Sequence, residues 1–198
     1  MLTIRGLTRP GLWPFDLELD GGECVAVLGP SGGGKTLLLR AIADLDPNQG
    51  ELSLDGESRA GMSGPAWRGR VSYLASEPGW WAERIGAHFA DAEAAIPLLA
   101  GLGLGAEALD WTVARASTGE RQRLALARTL AQAPEVLLLD EPSSGLDPAA
   151  TEMVETMLRQ RLAAGVAILI ATHDPAQAGR LARRRLMVEA GEVREEAA

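Results

Sequence analysis

The chain has 198 residues, of which 46% are apolar and 23% charged, enough for one globular domain with a small inserted subdomain. Its formal net charge of −8 argues against a surface that grips nucleic acid by neutralising phosphates. The single cysteine, Cys24, excludes an internal disulfide and a cysteine metal cluster, and its place in an apolar strand pattern marks it as a core residue.

The opening Met1-Leu2-Thr3-Ile4-Arg5 has no basic segment followed by an apolar block, so no secretory signal is evident. Apolar residues alternate over Leu2–Ile4 and Phe15–Leu19, which predicts two short antiparallel strands. Arg9-Pro10-Gly11, Trp13 and Pro14 fall in the connecting loop, and Asp20-Gly21-Gly22 makes a turn. Trp13 offers a flat π surface on which an adenine can stack; ordinary packing is the alternative. The apolar run Val25–Leu28 then leads into Gly29-Pro30-Ser31-Gly32-Gly33-Gly34-Lys35-Thr36, and helical periodicity follows from Leu37 to Ile42. The spacing is G-x-x-x-x-G-K-[ST], set between a strand and a helix. Glycines let successive N–H groups point at phosphate oxygens and the helix adds its positive end, with Lys35 reaching the β- and γ-phosphates and the Thr36 hydroxyl ligating Mg²⁺. A plain glycine-rich turn with an exposed lysine is disfavoured by strand, spacing, lysine and threonine together.

Asp46–Gly50 reads as a turn, Glu51–Gly56 as a strand and tight turn, and Met62-Ser63-Gly64-Pro65 as a loop before the strand Val71–Leu74. Ala75-Ser76-Glu77-Pro78-Gly79-Trp80-Trp81 is irregular. Adjacent tryptophans cannot both face one core from a helix or strand, so one of them is expected at the surface or against a partner, a loop that folds both inward being the alternative. From Ala82 to Trp111 alanine and leucine at helical spacing predict an insert of two or three helices, broken at Pro97 and at Gly101–Gly105. His88 stands alone there and is assigned no chemistry.

Ser117, with Glu120 three residues on, opens an amphipathic helix as a capping box and offers a second anion site. Val136–Leu139 is a continuous apolar strand ending in Asp140 and Glu141, at the lip where open α/β sheets bind ligands. Consecutive positions face opposite sides, which directs Asp140 to a Mg²⁺ shell and Glu141 to an attacking water. Ser143–Pro148 is a turn before a helix that runs to Arg161. Gly165–Ala171 is a second buried strand, ending in Thr172-His173-Asp174, so an imidazole shares the lip with the two acids. No stretch approaches the roughly 18 consecutive apolar residues that span a bilayer, so any membrane segment would belong to another chain. Arg180–Arg185 reads as a basic helix with a solvated face, with contact to lipid headgroups or a partner as the lesser alternative. Leu186–Val188 and Glu192-Val193 read as closing strands.

In this order the pieces resemble the nucleotide-binding cassette of the ABC transporter superfamily, over essentially the whole chain and in a form similar to small stand-alone bacterial subunits. Gly29–Thr36, with Leu37 beside it, resembles Walker A, and Ser117–Gln122 the signature, with Ser117, Thr118, Gly119 and Glu120 its implied binding residues. Leu137–Glu141 resembles Walker B with its catalytic glutamate, Ser144–Asp147 the D-loop, and His173 the switch histidine. The resemblance implies an α/β P-loop NTPase with a mainly parallel central sheet, an N-terminal antiparallel β subdomain and a small helical insert. It implies one domain over 1–198, with 1–75 the β and P-loop part, 76–116 the insert and 117–198 the remainder. It also implies ATP hydrolysis with Mg²⁺, catalysed by Glu141, His173 and Lys35, in a head-to-tail homodimer. Each ATP would then lie between Walker A of one copy and the signature and Asp147 of the other. The partner implied is a separate transmembrane permease, some relatives serving iron- or metal-export types, with the cassette cytoplasmic and peripheral at the inner face of the membrane. Two departures stand out: Ala116 and Thr118 replace the usual Leu and Gly of the signature, and Ser76 replaces the glutamine that reaches the metal, with Glu77 available as a substitute. A non-transport cassette acting on nucleic acid or ribosomes would need a basic surface, a long insertion or a second cassette, none of which appears. A phosphate-loop kinase leaves His173 and the signature helix unexplained.

Overall fold

Alternating apolar residues build the first sheet of the computed structural model, which describes residues 1–196. Strands β1 (Leu2–Arg9) and β2 (Leu12–Leu19) pair antiparallel, Leu2 opposite Leu19 and Arg9 opposite Leu12. Trp13 and Pro14 therefore belong to β2, not to the connecting loop. β2 is an edge strand, where a proline removes no essential ladder bond. The buried β3 (Cys24–Leu28) enters a second sheet and is followed by α1 (Lys35–Ile42), after which β4 (Gln49–Leu54) and β5 (Glu57–Ser58) complete the first. Burial pushes the Cys24 thiol up to about 12, assisted by neighbouring Glu23, so it is an inert core group.

The loop expected at Met62–Pro65 instead opens helix α2 (Gly64–Arg70). Ser63 accepts from the Ala66 amide, Pro65 sits in the first turn where its missing N–H costs nothing, and buried Trp67 donates Nε1–H to the Ile42 carbonyl at 2.9 Å. β6 (Val71–Leu74) follows. The insert holds one α-helix, α3 (Ala92–Gly101), between 3₁₀ turns at Ile85–His88 and Ala106–Asp110, fewer helices than the periodicity suggested. Pro97 does not break α3: it lies on the exposed face, where the carbonyl it orphans, that of exposed Glu93, is solvated. Then come α4 (Thr118–Leu130), β7 (Val136–Asp140), α5 (Pro148–Ala163), β8 (Ala167–Ala171), α6 (Pro175–Leu181), β9 (Arg184–Glu189) and β10 (Glu192–Glu196). The predicted basic helix is thus divided between α6 and β9. Two of its cations meet carboxylates, Arg180 on Glu155 and Arg184 on Glu23 and Glu195, while Arg183 and Arg185 stand exposed.

The second sheet has the order β10-β9-β3-β8-β7-β6, with the five strands from β9 to the β6 edge parallel and β10 antiparallel at the other edge. Its two faces sort by period two. Val136 and Leu138 pack with α1 and the first sheet, while Leu137 and Leu139 pack with α3, α4 and α5. Of the adjacent tryptophans, Trp80 rests on that second core and Trp81 is 71% exposed. Buried His88 accepts from the amides of Trp81 and Ala82 through Nε2, a structural role.

Asp46 ties α1 to the first sheet. It accepts two bonds of 2.8 Å from Arg40 and a further contact from Arg9. The Arg40 hydrogen bonds, with Arg9 assisting, hold its carboxyl down at about 2. A depressed pKa gives stability that is present above the unfolded carboxyl value and is lost as pH falls through the folded one. Asp46→Asn is therefore expected to lose about 1–2 kcal/mol at neutral pH, the deficit narrowing between pH 4 and pH 2 in thermal melts followed by circular dichroism.

Candidate functional site

Parallel pairing brings three strand ends to one level: Val27 and Asp140 both pair with Ala171. Glu141 N donates to Ala171 O at 2.9 Å and Thr172 N to Val27 O at 3.3 Å, so Gly29, Glu141 and Thr172 leave the sheet side by side. The loop after β3 then folds back against β9. A Cβ on Gly29 would stand 2.1 Å from the Val188 carbonyl oxygen and one on Gly33 2.6 Å from it, so only glycine fits at either position. Gly33 N donates to Pro30 O at 3.0 Å and closes the turn, leaving Pro30, Ser31 and Gly32 on its exposed rim.

Lys35 is only 9% exposed. Its Nζ donates to the carbonyls of Gly29 at 2.8 Å and Pro30 at 3.0 Å, and among the described residues it has no carboxylate partner. A buried ammonium balanced by carbonyl dipoles alone calls for an anion. The adjoining helix end has the same need. Side chains of Ser63, Asp91, Ser117, Asp147 and Asp174 cap α2 to α6, whereas α1 begins at Gly34 with no side-chain cap and no acid in its first turn. Its first amides, up to half-buried Leu37, are left for a ligand.

Thr36 Oγ1 donates to Asp140 Oδ2 at 2.7 Å, and Tyr73 OH donates to the same oxygen at 3.1 Å. Asp140 is buried, and burial followed by the Asp140 charge pushes the Tyr73 phenol upward, so Tyr73 remains a donor. Sequence reasoning passed over Tyr73. It pairs with Leu138, which puts it on the same face as Asp140, but the neighbourhood of β6 and β7 is not written in either strand. Among the described residues no cluster of three or more His, Cys, Asp or Glu could hold a metal unaided. A hydroxyl and one carboxylate oxygen 2.7 Å apart fit Mg²⁺, which takes few protein ligands and completes its shell with phosphate and water.

Glu141 Oε2 lies 2.7 Å from His173 Nδ1. Glu141 has φ 53°, in the left-handed region that a non-glycine residue enters at roughly 1 kcal/mol or more. The turn takes its carboxylate off the β7 pleat and over the end of β8, where His173 stands 72% exposed. Gln122 on α4 reaches the Glu141 carbonyl at 3.5 Å.

The remaining candidates lie outside this cluster. Ser117 and Glu120 close their capping box: Glu120 N donates to Ser117 Oγ at 3.2 Å and Ser117 N to Glu120 Oε2 at 2.8 Å. These Ser117 bonds hold the Glu120 carboxyl below its usual range. The amides of Thr118 and Gly119 have no partner among the described residues, and no hydrogen bond there joins residues 117–120 to 29–36. Asp147 Oδ1 accepts from Ala150 N at 2.8 Å as the cap of α5. Ser76 and Glu77 are exposed in the segment beyond the end of β6. Trp13, 67% exposed, donates its backbone N–H to Gly191 O at 2.8 Å, and Gly191 N donates to Gly33 O at 3.0 Å, so the backbone of Trp13 is linked to the loop through Gly191.

A family model described as "ABC transporter" matches residues 12–144. Similar curated proteins include STAR1 of Oryza sativa subsp. japonica, 37% identical over 97% of this chain and 61% of its own length. Another is the phosphate import ATP-binding protein PstB 2 of Natronomonas pharaonis, 35% identical over 89% of this chain and 71% of its own. A third is the aliphatic sulfonates import ATP-binding protein SsuB of Ralstonia nicotianae, 37% identical over 93% and 66%. The chain thus spans less than two thirds of the length of STAR1 and SsuB. Among solved structures, an ATP-binding subunit of an ABC transporter superposes with a TM-score of 0.88 at 26% identity, covering 100% of this chain and 90% of its own. A dimeric ATP-binding cassette in a post-hydrolysis state with ADP and Pi shares the fold, with a TM-score of 0.85 at 23% identity over 99% and 98% of the two chains.

Proposed function

The chain belongs to the ABC transporter family, and from that premise we propose that it is the ATP-hydrolysing subunit of a membrane transporter, acting as an ATP-sandwich dimer on a separate permease. The observation that carries the reading is Lys35, a buried ammonium with no carboxylate partner among the described residues, at the uncapped start of α1. A triphosphate supplies the missing charge. The Gly29–Thr36 amides and Lys35 would hold the β- and γ-phosphates, and Thr36 with Asp140 would hold Mg²⁺. That ion, when bound, would draw charge from the phosphate oxygens. Glu141 would take a proton from water aligned on the γ-phosphorus, and His173, fixed on Glu141, would orient that water and the γ-phosphate.

The Thr118 and Gly119 amides are spare donors at a helix start and would meet the γ-phosphate of ATP bound to the other copy, next to Asp147. Thr118 in place of glycine leaves these backbone donors unchanged. Only ATP carries the γ-phosphate that bridges two copies, so hydrolysis would release the dimer. Ser76 is too short to reach the metal as a glutamine does, and either it or Glu77 beside it would take that part. Residues 1–75, 76–116 and 117–198 would then be parts of one ATPase domain.

No helix among the described residues is long and apolar enough to cross a membrane, so the spanning segments would belong to the permease and the cassette would sit peripherally at its cytoplasmic side. The relatives named above differ in cargo, phosphate in one and aliphatic sulfonates in another, and both are named for import. The Ser76–Trp81 pattern is similar to that of small stand-alone cassette subunits, some of which pair with iron- or metal-export permeases. On either reading direction and cargo would be set by the permease.

Incubating the purified chain with ATP and Mg²⁺ should release ADP and phosphate saturably with no phosphorylated acceptor, and no binding of ATP in calorimetry would overturn the proposal. Trp13→Ala should raise the KM for ATP about fivefold to tenfold with kcat unchanged, the loss of one base stack, measured by coupled ADP release.

A further inference from the structure

The turn after Glu141 and the helix after His173 are joined a second time, away from the Glu141–His173 contact. Gln177, on the first turn of α6 and only 1% exposed, donates from Nε2 to Ser143 Oγ at 2.6 Å. Its Oε1 is buried with no hydrogen-bond partner among the described residues. A buried amide with an unanswered oxygen is a poor choice for stability, because an apolar side chain of similar size would avoid that desolvation. The bond's location supplies a better reason for it. Ser143 lies two residues beyond Glu141, and Gln177 four beyond His173. The two segments are therefore tied at both ends, by Glu141–His173 at one and Ser143–Gln177 at the other.

Packing alone does not fix the first tie. His173 is largely exposed, and Glu141 occupies a left-handed backbone conformation that its surroundings must impose. The frame behind the second tie is rigid. Glu155 of α5, wholly buried, accepts from Arg180 of α6 at 2.7, 2.9 and 3.1 Å and from Arg159 at 2.9 Å. We propose that Gln177 is a positioning residue for hydrolysis: through Ser143 it holds the Glu141 turn against α6, so that Glu141 and His173 stay in register with each other. The inference rests on the ATPase reading above and concerns residues that reading does not use.

The test compares Gln177→Leu, Ser143→Ala and the double variant with the wild-type chain in steady-state ATP hydrolysis, with melting temperatures alongside. Each single variant should lower kcat about fivefold to tenfold, the worth of one hydrogen bond, while the KM for ATP stays within about twofold. The double variant should be no slower than the slower single variant, because both remove the same bond. If Gln177→Leu fails to fold, Ser143→Ala, which removes only a half-buried hydroxyl, decides the matter by the same split. Unchanged kcat in the folded variants, losses that multiply in the double variant, or an effect confined to KM would overturn the proposal while leaving the ATPase reading intact. Absence of hydrolysis by the wild-type chain would defeat that reading, and this inference with it.

Discussion

Glu141→Gln is expected to slow ATP hydrolysis at least about a hundredfold while leaving ATP binding unchanged. A positioned general base contributes on the order of a hundredfold to ten-thousandfold, and an amide of the same shape cannot take the proton. The exchange preserves what else Glu141 does here. Glutamine can still hydrogen-bond His173 at the 2.7 Å separation, and the left-handed turn at φ 53° is no harder for it than for glutamate. The loss should thus appear wholly in kcat, measured by phosphate release with ATP affinity from equilibrium binding. A residual rate within about fivefold of wild type would remove Glu141 from the role of base and shift attention to His173.

Lys35→Ala is expected to weaken ATP binding by about tenfold to a hundredfold without harm to the free protein. The ammonium gives charge-assisted bonds to phosphate, each worth about 1.5–3 kcal/mol. Without ligand it satisfies only the Gly29 and Pro30 carbonyls from a nearly buried position, so its removal relieves desolvation as much as it loses contacts. ATP at about a hundred times its dissociation constant should raise the stability of the wild-type chain by roughly 2.7 kcal/mol, a shift of about 5–10 °C in melting temperature. In Lys35→Ala the same ATP concentration should give only roughly 0.4–1.4 kcal/mol, so the shift falls by about half or more, with the melting temperature of the free protein unchanged or higher. A variant that melts normally and still gains the full shift would show that the lysine is not the phosphate anchor.

Both arguments draw on chemistry that was readable wherever it was contiguous. The strand, glycine loop, lysine and helix around Lys35 occupy one uninterrupted stretch, and so does the capping box at Ser117. Asp140 and Glu141 were legible as acids at the end of a buried strand. Asp140 takes the side of Thr36 and Tyr73, but Glu141 lies beyond β7 in a left-handed turn, and that turn, not strand alternation, sets it beside His173. Contacts that cross the fold were not legible. Tyr73 meets Asp140 only because β6 pairs with β7, and Gln177 meets Ser143 only because α6 folds back over the turn; neither sequence neighbourhood names the other. Local composition also misled. Ser63-Gly64-Pro65 has the residues of a turn and the placement of a helix start, and the edge position of β2, which admits Pro14 and carries Trp13 beside the loop, is a property of the whole sheet.

The shared use of ATP by two copies is most directly tested by the mass of Glu141→Gln in solution, by sedimentation or light scattering, with ATP and Mg²⁺ and again with ADP. Two copies per particle with ATP, separating when ADP replaces it, is the result predicted. Particles of single-chain mass with ATP fully bound would contradict it.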